Sequence, residues 1–127
     1  MLGGFAERYG MSLENAVRSA CGFGGGVAGT GQTCGAVNGA LMVLGLAHAT
    51  QEPGNGPARQ ATYTATRTLL GRFRERHGSI SCRELLGVDI GTIEGRERAM
   101  REGLFATRCP VFVREAAELA AELVRAR

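Results

Sequence analysis

The stretch that decides the fold is residues 34–48, CGAVNGALMVLGLAH, which is apolar on almost every side of a helix. An all-round apolar helix of this length is typical of the buried centre of a bundle. Gly35 and Gly39 are four residues apart, a spacing that lets a neighbouring backbone approach closely. We therefore predict that this stretch forms a central buried helix, with Thr33 as its N-cap.

Directly before this helix lies GFGGGVAGTG, residues 22–31, in which six of ten residues are glycine. We expect positive φ angles here, because so many glycines suit a loop with a specific path. Glycines also let backbone amides approach a ligand or a sulfur atom. On that ground the candidate cofactor-binding residues are Gly24, Gly25, Gly26 and Gly31. The spacing also matches a dinucleotide fingerprint, but it follows a helical segment instead of a strand, which argues against that interpretation.

Apolar periodicity and capping residues predict further helices over residues 2–9, 13–21, 57–77, 82–86 and 93–104, and a last one from residue 109. The long helix has the inner stripe Ala58, Ala61, Ala65, Leu69, Leu70 and Phe73, and the last helix has Phe112, Ala116, Leu119, Ala120, Leu123 and Val124. No stretch of useful length alternates as a strand does. A chain of 127 residues suits one ordinary domain. The prediction is an all-α, compact, single-domain helical bundle over residues 1–127, with a buried central helix and a glycine-rich loop.

Composition and charge narrow the class of protein. The chain is 44% hydrophobic and 21% charged, with a net charge of +3, which is typical of a folded globular protein. Its arginines alternate with glutamates, a pattern of solvated helix faces, so we expect no nucleic-acid partner. Residues 1–10 lack the features of a signal peptide, and the longest apolar stretch is too short to cross a bilayer. We therefore expect a cytoplasmic protein without a membrane partner, in which thiols stay reduced.

Three of the four cysteines stand at predicted helix starts: Cys34, Cys82 and Cys109. Residues 81–84, SCRE, match the capping box, and Pro110 suits the first turn of the last helix. The first turn of a helix offers unpaired N–H groups and a partial positive charge, which favour a thiolate. A thiolate is the form that attacks disulfides and binds metals. The three cysteines are therefore candidate catalytic residues and metal ligands that converge on one redox or metal centre.

Other interpretations remain open at this point. The cysteine spacing does not fit a zinc finger, a thioredoxin motif or covalent haem. One alternative is a non-enzymatic helical binding or interaction module whose cysteines are packing residues. Another is a thiol-dependent enzyme with Cys34 as nucleophile and the glycine loop as an anion cradle, although no general base is evident. His48 and His77 lie near predicted helix C-termini, where a capping or surface role is expected.

Several blocks together resemble the C-GCAxxG-C-C family of redox-active proteins. They are, in order along nearly the whole chain, residues 23–26, 31–46, 77–87, 109–113 and 116–118. The family pattern has four cysteines, and Cys34, Cys82 and Cys109 match the second, third and fourth. The first is expected near the start of this chain, so either it is absent or Cys21 replaces it in space.

The family is similar to the cysteine-bearing part of split-Soret cytochromes, and this resemblance implies electron transfer. It also implies an iron–sulfur cluster or another thiolate-bound metal, held by the three matching cysteines with Cys21 or an outside ligand. A cycle between dithiol and disulfide is the other redox interpretation. We expect a redox partner protein, and the sequence leaves open whether the chain forms a homodimer.

Overall fold

The central helix predicted from residues 34–48 is present as α3, Gly35–His48. The protein is described here by a computed structural model that covers residues 1–125. In chain order the helices are α1 (Gly3–Ala6), α2 (Leu13–Ala20), α3, α4 (Gly56–His77), α5 (Cys82–Leu86), α6 (Ile93–Arg101), α7 (Leu104–Thr107) and α8 (Cys109–Arg125), with 3₁₀ turns at Glu7–Tyr9 and Cys21–Phe23. This described part of the chain has no β-strand, so the all-α prediction is confirmed.

Three helices form the core of the bundle. Helix α3 packs against α4 and α8, and these two helices also pack against each other. The largest fully buried side chains come from all three: Val37, Val43, Leu44, Leu69, Phe73 and Leu119. Burying a side chain of this size contributes about 1.5–3 kcal/mol. The three-helix core is therefore the main source of stability.

Helix α3 is apolar on nearly all sides but is not buried on all sides. Leu41, Met42 and Leu46 stay half-buried, because α4 and α8 cover other parts of the helix. The prediction of a central helix is confirmed, whereas burial around its whole circumference was too broad an expectation. No helix in residues 1–125, α3 included, is long and apolar enough to span a membrane.

The two glycines at the start of α3 are sites of close approach, as their spacing predicts. A Cβ atom on Gly39 would lie 2.8 Å from Met1 Cγ, and one on Gly35 would lie 2.9 Å from the carbonyl oxygen of Phe23. Real Cβ atoms essentially never approach other atoms so closely. These glycines therefore let the N-terminal segment and the 3₁₀ turn Cys21–Phe23 pack directly on α3.

Capping side chains fix the starts of α2 and α4 where the sequence predicts helices to begin. Ser12 Oγ accepts a hydrogen bond from the Asn15 N–H at 3.1 Å. Asn55 Oδ1 accepts one from the Ala58 N–H, also at 3.1 Å. Helix α4 ends at Gly78, whose φ of 83° is the left-handed conformation that often closes a helix.

The predicted stripe of α8 is buried except for its last member, whereas that of α4 is narrower than predicted. Phe112, Ala116, Leu119, Ala120 and Leu123 are buried, and Val124 is half-buried. In α4 only Ala65, Leu69 and Phe73 are buried, while Ala58 and Leu70 are half-buried and Ala61 is exposed. The reason is that α4 packs mainly against α3 and α8. One line of residues, spaced by four, is therefore enough to cover that contact.

The predicted helix over residues 93–104 is wrong at its end, because the chain breaks it into two. Helix α6 ends at Arg101, and Gly103 adopts a left-handed φ of 66°. Gly103 is then the N-cap of α7, and its carbonyl oxygen accepts a hydrogen bond from the Thr107 N–H. This short helix places Phe105 beside the start of α8.

Candidate functional site

The glycine-rich loop, residues 22–31, is called the glycine segment below, and it forms a left-handed turn. Gly25, Gly26, Gly29 and Gly31 have φ between 62° and 75°, as predicted. Val27 and Ala28 also have positive φ, 67° and 52°, which the sequence did not indicate. This conformation costs about 1–2 kcal/mol for each non-glycine residue. The turn must therefore be stabilised by its surroundings.

Backbone hydrogen bonds within the segment provide that support. The Gly29 N–H donates to Gly24 at 3.0 Å, the Gly31 N–H donates to Gly25 at 3.0 Å, and the Gln32 N–H donates to Gly26 at 2.7 Å. The N–H groups of residues 27, 28 and 30 also donate to carbonyl oxygens of the segment. The backbone N–H groups of residues 27–31 are therefore occupied by hydrogen bonds within the segment.

An isolated antiparallel bridge between Thr33 and Ser81 joins the end of the glycine segment to α5. The Cys34 N–H donates to the Ile80 carbonyl at 2.8 Å, and the Cys82 N–H donates to the Gln32 carbonyl at 2.6 Å. The bridge therefore places two cysteines, 48 positions apart in the sequence, on neighbouring backbone segments.

Glycine is required where Cys82 meets the glycine segment. A Cβ atom on Gly26 would lie 2.6 Å from Cys82 Cβ and within 2.8 Å of two backbone atoms of Gln32. Gly26 is itself buried, with φ of 68°. The segment can therefore approach Cys82 only because this position has no side chain.

The third cysteine reaches the same place through α8. Cys109 is the first residue of α8, and α8 packs along α3, whose N-cap is Cys34. Cys34, Cys82 and Cys109 together line one cavity of about 210 Å³, which we call the cysteine cavity. Its other lining residues are glycines of the loop and of α3, and apolar side chains: Gly25, Gly26, Gly35, Ala36, Leu85, Leu86, Phe105, Phe112 and Val113.

The other residues singled out in the sequence lie elsewhere. Cys21 is exposed in the turn after α2 and does not line the cysteine cavity. Gly24 lines a separate groove near Met1, and the Gly31 N–H is taken by the Gly25 carbonyl. The structure therefore brings together three of the four cysteines and two of the four candidate glycines, Gly25 and Gly26.

Two capping predictions at the cysteines are wrong. The N-cap of α3 is Cys34 instead of Thr33, because the backbone of Thr33 belongs to the bridge with Ser81. Ser81 is the N-cap of α5, but its hydroxyl donates to the Gly31 carbonyl at 3.3 Å and accepts no hydrogen bond from α5. The SCRE motif therefore marks the helix start without forming a capping box.

Burial makes two of the thiols harder to ionise. It raises the pKa of Cys82 to about 11, and negative charge on Cys34 and then on Cys109 adds to the rise. Burial also raises the pKa of Cys109, with charge on Cys34 as the second cause. The prediction that every helix start favours the thiolate is therefore wrong for Cys82 and Cys109. Loss of water outweighs the helix dipole, and α5 has only five residues to supply one.

Both histidines lie at helix ends, as predicted. His48 Nε2 is 3.1 Å from the Leu123 carbonyl oxygen. His77 is ion-paired with Glu115 and stacks edge-on against Phe112, with ring centroids 5.1 Å apart. Phe105 and Phe112 form the aromatic wall of the cavity; Phe112 was predicted only as a member of the buried stripe of the last helix, and Phe105 was not predicted as a site residue. The three-residue spacing from Cys109 to Phe112 on one helix face was the available signal.

A metal or cluster requires a suitable donor set. Iron–sulfur clusters are generally held by four thiolates, whereas three cysteines line the cavity and Cys21 stays outside it. Within residues 1–125 no group of three or more His, Cys, Asp or Glu side chains is arranged to hold a metal ion. The donor set as placed does not fit a cluster, and all four cysteines are free thiols.

Comparison with known proteins gives one assignment for nearly the whole chain. A family model described as "Putative redox-active protein (C_GCAxxG_C_C)" matches residues 1–123. No curated protein and no solved structure matches the chain. The matched region includes all four cysteines and the glycine segment.

Proposed function

This chain belongs to the C_GCAxxG_C_C family, described as redox-active, and on that premise we propose that its cysteine cavity carries out thiol–disulfide exchange. Cys34 is the attacking thiol, and Cys82 is the thiol that resolves the mixed disulfide. The single observation that carries the proposal is the convergence of Cys34, Cys82 and Cys109 on one largely apolar cavity. A packing role for each cysteine gives no reason for all three to line the same cavity.

The reaction transfers two electrons from the protein to a disulfide. The Cys34 thiolate attacks one sulfur of the substrate, the substrate S–S bond breaks, and the first half leaves as a thiol after taking up a proton. Cys82 then loses its proton and attacks the Cys34 sulfur, which releases the second half as a thiol. Cys34 and Cys82 end as a disulfide, and the substrate disulfide is reduced to two thiols.

Accessibility and helix position favour Cys34 as the attacking residue. Cys34 is half-buried, whereas Cys82 is only 8% exposed and so is less open to a substrate. Cys34 is also the N-cap of α3, a helix of 14 residues, and the positive end of a helix favours negative charge. The Cys34 side chain makes no capping hydrogen bond to α3.

Charge couples the two steps. Burial is the largest cause of the raised pKa of Cys82 and of Cys109, and a negative charge on Cys34 is the second cause in both. Once Cys34 is bonded in a mixed disulfide it carries no charge, so this cause disappears. The pKa of Cys82 then falls, and the resolving thiolate forms more readily at the moment it is needed.

Backbone geometry favours Cys82 over Cys109 as the resolving partner. Residues 34 and 82 flank the Thr33–Ser81 bridge as diagonal neighbours on the same face. Such neighbours have Cα atoms about 7–8 Å apart, slightly beyond the ~4.4–6.8 Å of a disulfide. A small movement of the backbone at Cys34 toward the start of α5 would therefore close the bond.

Disulfide mapping tests the proposal. The reduced protein is treated with a small disulfide, the remaining thiols are alkylated, and the peptides are identified by mass spectrometry. We expect a Cys34–Cys82 disulfide, and Cys34→Ser should abolish it while Cys21→Ser leaves it unchanged. Oxidation that consumes Cys21 first, or a mixture of random pairs, would contradict the proposal.

The same experiment separates this function from the alternative of a helical interaction module. Cys82 lies in the hydrophobic core, which is the specific observation in favour of a packing role. If the three cysteines of the cavity only pack, Cys34, Cys82 and Cys109 should stay free thiols after treatment with disulfide at neutral pH, whether or not the exposed Cys21 reacts. An iron–sulfur cluster or another thiolate-bound metal stays a prediction, which visible absorption with iron and sulfide analysis after anaerobic purification would test.

A further inference from the structure

A second cavity, of about 380 Å³, adjoins the cysteine cavity and differs from it in charge. Arg76, His77 and Arg108 line it, whereas no charged residue lines the cysteine cavity. The two cavities share Leu85 and Phe112, so these side chains form a wall common to both. We call the second one the basic cavity.

Arg108 connects the two cavities. It directly precedes Cys109, so one residue lines the basic cavity and the next lines the cysteine cavity. Its Nη1 donates a hydrogen bond to the Leu85 carbonyl oxygen at 3.0 Å, which holds the guanidinium at the shared wall. A guanidinium has five N–H donors, so most of them remain for a ligand.

The basic cavity has an excess of positive charge. Neither Arg76 nor Arg108 forms an ion pair with any residue in the described range 1–125. His77 is paired with Glu115, so that carboxylate is already engaged. A guanidinium stays charged at any accessible pH and matches the geometry of a carboxylate with two parallel hydrogen bonds.

We propose that the basic cavity is the anion-binding subsite of the cysteine cavity, and that the substrate is a small disulfide that carries a carboxylate. This inference rests on the proposed function. The carboxylate binds Arg76 and Arg108, and the disulfide lies in the cysteine cavity within reach of Cys34. The substrate S–S bond breaks, the Cys34–Cys82 bond forms, and the two halves of the substrate leave as thiols, at least one of them carrying the carboxylate, with the two protons that Cys34 and Cys82 lose.

Two matched probes test the proposal on the full chain. One is 3,3′-dithiodipropionate, which carries a carboxylate on each half, and the other is bis(2-hydroxyethyl) disulfide, which is uncharged. The rate at which each oxidises the reduced protein is measured by quenching and alkylation. The wild-type protein should react faster with the charged probe, and the preference should shrink as salt is added.

Substitutions then assign the preference to the two arginines. With Arg76→Gln and Arg108→Gln combined, the rate with dithiodipropionate should fall about tenfold, the size expected for lost hydrogen bonds to a charged group. The rate with the uncharged probe should change less than about twofold. Arg101→Gln, an exposed arginine of α6, is the matched control and should change neither rate. Equal slowing with both probes, or no slowing with either, would overturn the subsite.

A non-reactive ligand separates failure of the subsite from failure of the chemistry. Octanedioate has the length and the carboxylates of dithiodipropionate but no sulfur, and its binding is followed by NMR titration. We expect the wild-type protein to bind it and the double variant to bind it at least about tenfold more weakly. Binding without any disulfide formation would end the proposed function but leave the anion subsite. If the Cys34–Cys82 disulfide forms at equal rates with both probes and octanedioate does not bind, the anion subsite is ruled out and the proposed function stands.

Discussion

Helix α3 and the glycine segment are neighbours in the sequence, but different forces order them. Apolar side chains hold α3 against α4 and α8. In the glycine segment the only buried residues are Gly26 and Gly31, neither of which has a side chain, and backbone hydrogen bonds hold the left-handed turn. The comparison teaches that the bundle depends on side-chain burial, whereas the cysteine cavity depends on backbone conformation. The same type of substitution should therefore have opposite effects in the two regions.

Replacing a glycine by alanine should give the largest difference in the free energy of unfolding between the glycine segment and α3. Gly26→Ala places a Cβ atom 2.6 Å from Cys82 Cβ at a φ of 68°, so we expect the free energy of unfolding to fall by about 3 kcal/mol. Gly45→Ala, in the interior of α3 with open space around it, should raise it by up to about 1 kcal/mol. Urea unfolding of both variants measures the difference. Similar shifts of the same sign would mean that the two regions do not differ as described.

Alkaline pH should weaken the packing of α5 on the glycine segment, because Cys82 of α5 lies against Gly26. Its pKa is about 11 in the folded protein against an ordinary value of 9.0, so folding favours the protonated thiol. This contribution is fully present below pH 9 and is lost as pH rises from 9 to 11. The free energy of unfolding should therefore fall by roughly 2 kcal/mol over that window.

Urea unfolding at pH 8 and pH 10.5, with reductant present, measures that loss. Cys82→Ala removes the titrating group, so its loss of stability between the two pH values should be distinctly smaller than that of the wild type. The comparison within each protein cancels any general destabilisation by the substitution. An identical loss in both proteins would show that Cys82 does not titrate as its burial implies.

Replacing an alanine by glycine should change the stability least, and the change should have opposite signs in the glycine segment and in a regular helix. Ala28→Gly relieves a φ of 52° on an exposed residue, and we expect a gain of about 0.5–1 kcal/mol after the entropy of the unfolded glycine is allowed for. Ala61→Gly, on the exposed face of α4, should lose about 1 kcal/mol. Thermal unfolding of the pair resolves these values. Destabilisation by Ala28→Gly would show that the left-handed turn is not strained.

Much of the helical fold could be predicted from local patterns. The helices predicted over residues 13–21 and 57–77 are present within a few residues of those bounds, with Ser12 and Asn55 as side-chain N-caps and Gly78 as a C-cap at positive φ. The break at Gly103 was missed because a glycine inside an amphipathic pattern can also be tolerated within a helix. Whether such a glycine ends the helix depends on what packs beside it.

The candidate site was predicted in part. The choice of Cys34, Cys82 and Cys109 rested on helix starts and on the family resemblance, and these three do line one cavity. Cys21 could not be placed from the sequence, and it lies outside that cavity. The direction of the pKa shifts was also out of reach, because it depends on how much water the finished fold removes from each thiol.

By itself the sequence determined the helices, the approximate ends of most of them and the glycine-rich turn, because propensity, capping and periodicity act within a few residues. Only the tertiary structure decided which thiols meet, how deeply Cys82 is buried and that a basic cavity adjoins the cysteine cavity. These features arise where the Thr33–Ser81 bridge and the packing of α8 on α3 bring together residues far apart in the chain. Contacts of that range depend on three-dimensional packing, and no local pattern encodes them.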